Sequence, residues 1–418
     1  MKKVVLFFAL IVGLLASAST LQAQTVNMDS YITLTVAKDS AIRLNFKAAA
    51  AGTPVRIVSG SNTQDISVST DWGGTASYTA GSTNMTVYGD ITGFNCSNNG
   101  ANLTALDPSH NTQLTELSCP YNQLTSLDVS NNTQLTGLYC TSNQLSSLNA
   151  SGCTQLKTLN CVSNQLLSLN VSGCTQLTKV ECFSNRLSSL DVSGYTQLKE
   201  LNCHGNQLSN INVSGCTQLK ELKCYNNQLA SLNISGCTQL KELYCYNNIL
   251  TALDVSGCTQ LTKVYCNDNK LSTDALDDIY CALPDRTGNT NGKIQPVYNS
   301  SSSNHATVLA TNAANATAKN WKVQYYNDDT DIPTTTGKHK CSATDIAEAS
   351  VEPALTLYPN PVADVLYLSA TARTIRVYDI YGTEVAHATD TDRVEVSHLP
   401  AGVYTVNADG TVAKMVKR

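Results

Sequence analysis

Residues Leu240-Lys241-Glu242-Leu243-Tyr244-Cys245-Tyr246-Asn247-Asn248-Ile249-Leu250 decide how the chain is read. Leu243 and Cys245 alternate with Glu242, Tyr244 and Tyr246, the two-residue period of a short strand with one face in and one face out. The same frame recurs every 21 residues, so Cys119, Cys140, Cys161, Cys182, Cys203, Cys224, Cys245 and Cys266 form one column. Cys96 precedes them by 23, with Gly100 and Ala101 as a two-residue insertion.

A unit that reads LxxLxCxxNxL and then LxxLxVSxCTQ is the leucine-rich-repeat pattern with Cys at one inward leucine position. About ten residues per unit remain for the return, too few for a two-turn helix with its connections. The expected fold is therefore a β-rich leucine-rich-repeat solenoid with a parallel β-ladder on its concave face and a 3₁₀-like or extended convex side. No single unit can bury its own leucines, which is why the run is long. The column Asn122, Asn143, Asn164, Asn185, Asn206, Asn227, Asn248 and Asn269 follows each strand, where the backbone turns, and its side chains are expected on buried backbone groups.

Of the 16 cysteines, nine occupy the ladder, and Cys153, Cys174, Cys216, Cys237 and Cys258 share one convex position that also holds Asn111, Asn132 and Tyr195. Side-by-side Cβ vectors on parallel strands suit neither disulfide torsions nor a tetrahedral metal site, so both columns are expected to pack as small apolar side chains. No metal or cofactor is expected.

Outward from the repeats, residues 24–90 alternate apolar and polar (Ile32, Leu34, Val36; Ile42, Leu44, Phe46) and read as a β-rich N-terminal cap, with repeats over 91–271. Residues 272–328 read as a C-terminal cap with one helix: Leu276, Ile279, Tyr280 and Leu283 share a face, Ser272 or Thr273 starts it and Pro284 ends it. Residues 329–350 are polar, broken by Pro333, and read as a linker. Residues 351–418 contain seven short alternating runs and read as an Ig-like β-sandwich. At the other end, Lys2 and Lys3 precede the apolar run Val4 to Ala16, and Leu21-Gln22-Ala23 suits a cleavage site, so residues 1–23 read as a signal peptide. No other stretch is long and apolar enough to be read as a membrane span.

Charged residues make up 14% of the 418, and the net charge is −5 with no dense Lys/Arg cluster, so nucleic acid is not expected as a partner. The chain has no HExxH, GxSxG or P-loop pattern, and its six histidines are scattered, which argues against an enzyme. Neither Asn267-Asp268-Asn269 nor 328–331 continues into a calcium loop with a terminal Glu. The informative feature is a gradient of outward residues. Early units carry Ser118, Pro120, Gly137, Thr141 and Thr158, whereas later ones carry Phe183, His204, Tyr225, Tyr244, Tyr246 and Tyr265, with Glu200, Glu221 and Glu242 in one neighbouring column. Aromatics beside carboxylates suit protein or carbohydrate partners, and these nine residues form the candidate binding face.

Across residues 85–328, through units such as 240–250, the chain resembles the internalin J-like, cysteine-bearing leucine-rich-repeat proteins of bacterial surfaces, including those of Porphyromonas-type Bacteroidetes. The tail resembles the C-terminal sorting domain of the type IX secretion system, through LYPNP at 357–361, RVYDIYGTEV at 376–385, LPAGVYTV at 399–406 and the basic end Lys414 to Arg418. The resemblance implies export through the outer membrane, engagement of the secretion machinery by residues 351–418, removal of that domain, and a cell-surface or extracellular adhesin contributing to biofilm formation. A passive surface protein of the same fold is the competing expectation.

Overall fold

The computed structural model describes residues 25–341, 357–379, 384–408 and 411–418, in two units divided after Cys341. The signal segment and residues 342–350 of the expected linker lie outside them.

A 13-stranded sheet is the spine of the first unit. It starts with Ala76–Thr79 and Ala41–Ala48, which are antiparallel, and continues through Ile91–Asn95 into the coil strands from Glu116–Ser118 to Lys263–Tyr265. Gly292–Val297 and Trp321–Tyr325 add two more parallel strands, so the ladder is longer at its C-terminal end than the Cys period alone gives. Register holds from coil to coil, with Lys179 opposite Glu200, Glu200 opposite Glu221 and Glu221 opposite Glu242. Leucines and cysteines from every coil form one cluster with both caps, from Ile32 to Tyr325. All nine ladder thiols and the five convex thiols are free and buried, and burial pushes Cys140, Cys182 and Cys266 up to about 12. They fill space as apolar groups.

The Asn column clamps successive coils together. Asn164 Nδ2 donates to the carbonyls of Cys161 in its own coil and Cys140 in the coil before, while its Oδ1 accepts from Leu145 N. The residue preceding each Asn turns through a left-handed conformation, including Ser142, Ser163, Ser184, Asn226, Asn247 and Asp268 at φ between 51° and 55°. Gly205 takes that place in the coil of Asn206, where no Cβ is present to resist it.

The return side is extended. Ser147–Asn149 pairs with Ser168–Asn170, and Ser189–Asp191 with Asn210–Asn212, a second ladder that is interrupted between them. Thiols of the convex column donate to the carbonyl 24 residues back, at 3.3 Å for Cys153, 3.1 Å for Cys174 and 3.2 Å for Cys216, where the second ladder is paired. For Cys237 and Cys258, where it is not, the distances are 3.8 and 3.6 Å. At the central interruption Tyr195 replaces the thiol and its hydroxyl reaches Val171 O, holding the coils apart.

The cap at the start is interleaved with the repeats. Leu103–Asp107, inside the first unit of the repeat, pairs with Tyr31–Val36 in a five-stranded antiparallel sheet that ends at Asn62–Val68. At the far end, Ser272 accepts from Ala275 N and opens the helix Thr273–Ala282, with Asp274 in its first turn. Two short helices, His305–Leu309 and Ala314–Thr317, join it, where one helix is expected from sequence. Trp321 lies over Gly292, where a Cβ would meet the indole at 2.4 Å, and its Nε1 donates to Pro284 O.

Residues 329–341, expected as linker, are packed. Asp331 bridges Gln324 on the edge strand, Ile332 N donates to Val323 O, and Thr336 and Gly337 bond to Leu309 and Thr311 carbonyls. Cys341 then closes a disulfide with Cys281 of the first helix. The strap covers the last strand, whose free edge would otherwise be a template for pairing.

The tail is β-rich, with five described strands where seven runs are expected. Val365–Tyr378 and Glu384–Glu395 each join two of those runs and stay paired across an irregularity between Tyr367 and Ala372. Asn360 of the LYPNP run accepts from Val416 N and donates to Lys414 O, fixing it to the final strand around its own core of Leu366, Ile375 and Val406.

The outward face of the ladder as candidate functional site

Each coil strand presents three outward positions, and all nine expected binding residues lie on these columns. The third column places Phe183, His204, Tyr225 and Tyr246 on successive coils. Their rings stack at centroid distances of 4.4, 4.2 and 4.3 Å with planes within 14° of parallel. This spacing is about the ~4.8 Å between strands, so the ring faces point along the ladder at one another and the edges point outward. Tyr326, from the C-terminal cap, closes the stack against Tyr246 at 5.0 Å and also meets Tyr265 and the exposed Tyr298. Sequence reading omits Tyr326 and Tyr298 because they lie beyond the period; the pair Tyr325-Tyr326 after Trp321 is the signal that points to them.

In the second column Tyr244 meets Tyr265 edge to face at 4.8 Å, its hydroxyl donates to Glu242 at 2.5 Å, and Lys223 Nζ sits 5.4 Å from its ring centre. Burial, then the Glu242 bond, holds Tyr244 well above the usual phenol range. The column also contains Tyr139, which lies over Gly137, so the early coils are not free of aromatics.

The first column contains the three glutamates on adjacent strands, a row that should repel. Each has a lysine: Lys179 at 3.2 Å from Glu200, Lys223 at 2.6 Å from Glu221 and Lys263 at 2.9 Å from Glu242. Burial opposes ionisation of Glu242, but Tyr244 and Lys263 hold its carboxyl below the usual range. His204 is pushed down to about 4 by burial and by Lys223, so its ring is neutral at neutral pH, and its Nδ1 lies 2.6 Å from Asn202 Oδ1. No acid orients it. The face is thus flat, ion-paired and ring-edged, and its small dimple between Lys179, Glu200 and Lys223 holds about 70 Å³. Among the described residues no group of three His, Cys, Asp or Glu side chains is arranged to hold a metal ion.

Coils with a short parallel strand, an inward leucine ladder and an Asn clamp define a leucine-rich-repeat protein, and residues 217–256 match the family model described as Leucine Rich repeats (2 copies). Residues 356–418 match the Secretion system C-terminal sorting domain. The chain therefore carries leucine-rich repeats and, at 356–418, a type IX sorting domain, which directs export to the cell surface or extracellular space. No described helix is long and apolar enough to cross a membrane.

Among solved structures, the chain is similar to the functional domain of InlJ from Listeria monocytogenes, which includes a cysteine ladder, at 22% identity over 78% of this chain and 67% of that one, TM-score 0.38. It is also similar to a leucine-rich-repeat protein of Leptospira interrogans (20% identity, 52% of this chain, 62% of that one, TM-score 0.35). An internalin C2 of Listeria monocytogenes matches at 23% identity over 44% of this chain and 74% of that one, TM-score 0.31. No curated protein matches the chain.

Proposed function

We propose that this protein is a non-catalytic surface adhesin, contributing to biofilm formation, that binds a protein partner through the outward face of its later coils. The observation that carries the reading is the aromatic run from Phe183 through Tyr246 to Tyr326, built on coils whose leucine core is already complete without it. Tyrosine edges and hydroxyls amid paired charges have the composition of protein-binding hot spots. A sugar partner here is less favoured, because stacking on a sugar needs an open ring face and those of His204 and Tyr225 are taken by neighbouring rings, while Lys223 lies over Tyr244.

The strip from Lys179–Glu181 to Trp321–Tyr325 spans roughly 29 Å of ladder by 16 Å of strand, about 460 Å², over half of one partner's share of a standard interface. The test is adhesion of beads carrying the full chain to host-cell and bacterial surfaces. A variant with Tyr225→Phe, Tyr244→Phe and Tyr246→Phe keeps the rings and removes the hydroxyls, and Tyr225→Glu with Tyr246→Glu places charges across the strip. Loss of adhesion in the Glu variant, with at least partial loss in the Phe variant, supports the reading. Undiminished adhesion in both leaves the face a passive coat.

A further inference from the structure

A second concavity lies away from the ladder face, in the N-terminal cap. It has a volume of about 460 Å³, within the range of small-ligand clefts, and opens between Asn62–Val68 and Ala76–Thr79. These strands end two different sheets, so each offers the cleft an unpaired edge. Ile57 and Met85 form a buried apolar floor, and the walls carry Ser, Thr, Asn and Gln side chains. No charged residue lines it. The bidentate pair of Arg56 and Asp65, at 2.6 and 2.8 Å, lies on the other face of the hairpin because neighbours along a strand alternate.

Two features mark it as more than a gap between sheets. Asn62–Val68 departs from alternation, with its first four residues all exposed, so Asn62 and Gln64 serve no core. Asn62 Nδ2 reaches across to Thr79 O at 3.1 Å and ties the rims together. Tyr78, only 7% exposed, lines the cleft with its ring edge-on to Phe46, and among the described residues its hydroxyl has no hydrogen-bond partner. The ring is buried while the hydroxyl stays open to the cleft, where it can donate to an acceptor held there.

We propose that this cleft binds a neutral saccharide unit, with Tyr78 and Gln64 bonding its hydroxyls. A pyranose matches the lining because its hydroxyls are uncharged donors and acceptors, as are the Ser, Thr, Asn, Gln and Tyr groups around the cleft. An acidic sugar does not, since no cation is present to meet it. The site is independent of the protein-binding face.

The experiment is saturation-transfer NMR and calorimetric titration of the full chain with the methyl glycosides of glucose, galactose and mannose, with N-acetylglucosamine and with glucuronic acid. At least one neutral sugar should bind saturably and glucuronic acid more weakly. Tyr78→Phe, which keeps the ring against Phe46, should weaken binding about tenfold, and Ser77→Trp should fill the cleft and abolish it. The proposal is overturned if no neutral sugar saturates, or if both variants bind as the parent does. It is equally overturned if a blocked Thr-Val-Thr-Val tetrapeptide competes for the cleft and the sugars do not, which would make it a strand-docking edge.

Discussion

Asn164 joins two coils with one side chain, and its amide is the partner of three buried backbone groups. Asn164→Ala should therefore cost about 3 kcal/mol, because the Leu145 amide and the Cys140 and Cys161 carbonyls lose their partner where water cannot replace it. A urea titration of the repeat signal checks this, and a cost below 1 kcal/mol would mean the coils close without the clamp. His204 makes a pH-dependent contribution. Its folded pKa of about 4 lies below the ordinary imidazole value of about 6.5. The unfolded chain therefore binds the proton first on acidification, and the stability present above pH 6.5 is lost as pH falls toward 4. His204→Phe, which preserves the ring column, should flatten the melting temperature between those pH values, and an unchanged slope would locate the titration elsewhere. The half-buried, mutually stacked rings also mean that Tyr225→Ala or Tyr246→Ala should lower stability as well as binding, by about 0.5–1.5 kcal/mol per lost ring pair, which is why hydroxyl removal is the cleaner test.

At the scale of the element, Tyr195 stands at the central break of the return side. The coils stay in register on the long ladder at Lys179–Glu181 and Glu200–Asn202 while the second ladder is broken between Ser168–Asn170 and Ser189–Asp191. A groove of about 540 Å³ lies at that break, with Leu167 64% exposed beside it. Tyr195→Cys restores the residue found at Cys174 and Cys216 and should let the Val171 amide pair with Asp191. Hydrogen exchange at Val171 should slow about tenfold, the equivalent of one added hydrogen bond. Exchange unchanged in this variant would assign the break to other contacts. The period made the ladder, the Asn clamp and the inward cysteines legible in the sequence, because each repeats the same contact. Tyr195 reads there as one tolerated substitution, since its effect is a spacing between coils and not a preference of its own. The strap at 329–341 was illegible for a related reason: its composition is polar, and its partners, such as Gln324, Leu309 and Cys281, are recognised only once the cap is folded. Cys281 and Cys341 do carry a signal, as the two cysteines that fall on neither column. On the face itself the column residues were legible, while the ring orientation and the lysine partner of each glutamate depend on side-chain packing that spacing does not encode.

At the scale of the molecule, one core runs from cap to cap, from Ile32 to Tyr325, the Cys281–Cys341 disulfide pins the strap to the first helix, and the sorting domain has a core of its own. Removal of the sorting domain is therefore expected between residues 342 and 356, and mass spectrometry of surface material should find peptides up to Cys341 and none from 360 to 418. A mature end before Asp329 would contradict the strap as part of the cap. The bond between Cys281 and Cys341 closes a loop of 60 residues, and in the chain-entropy account this contributes about 4 kcal/mol. Cys341→Ser should lower the melting temperature of the cap without disturbing the coils before Cys266. The same bond has a topological consequence. A protease acting at the cell surface that cuts once anywhere between the two cysteines produces two chains but not two molecules. The severed strap stays tethered and can re-dock, and such damage shows as an extra band only on a reducing gel.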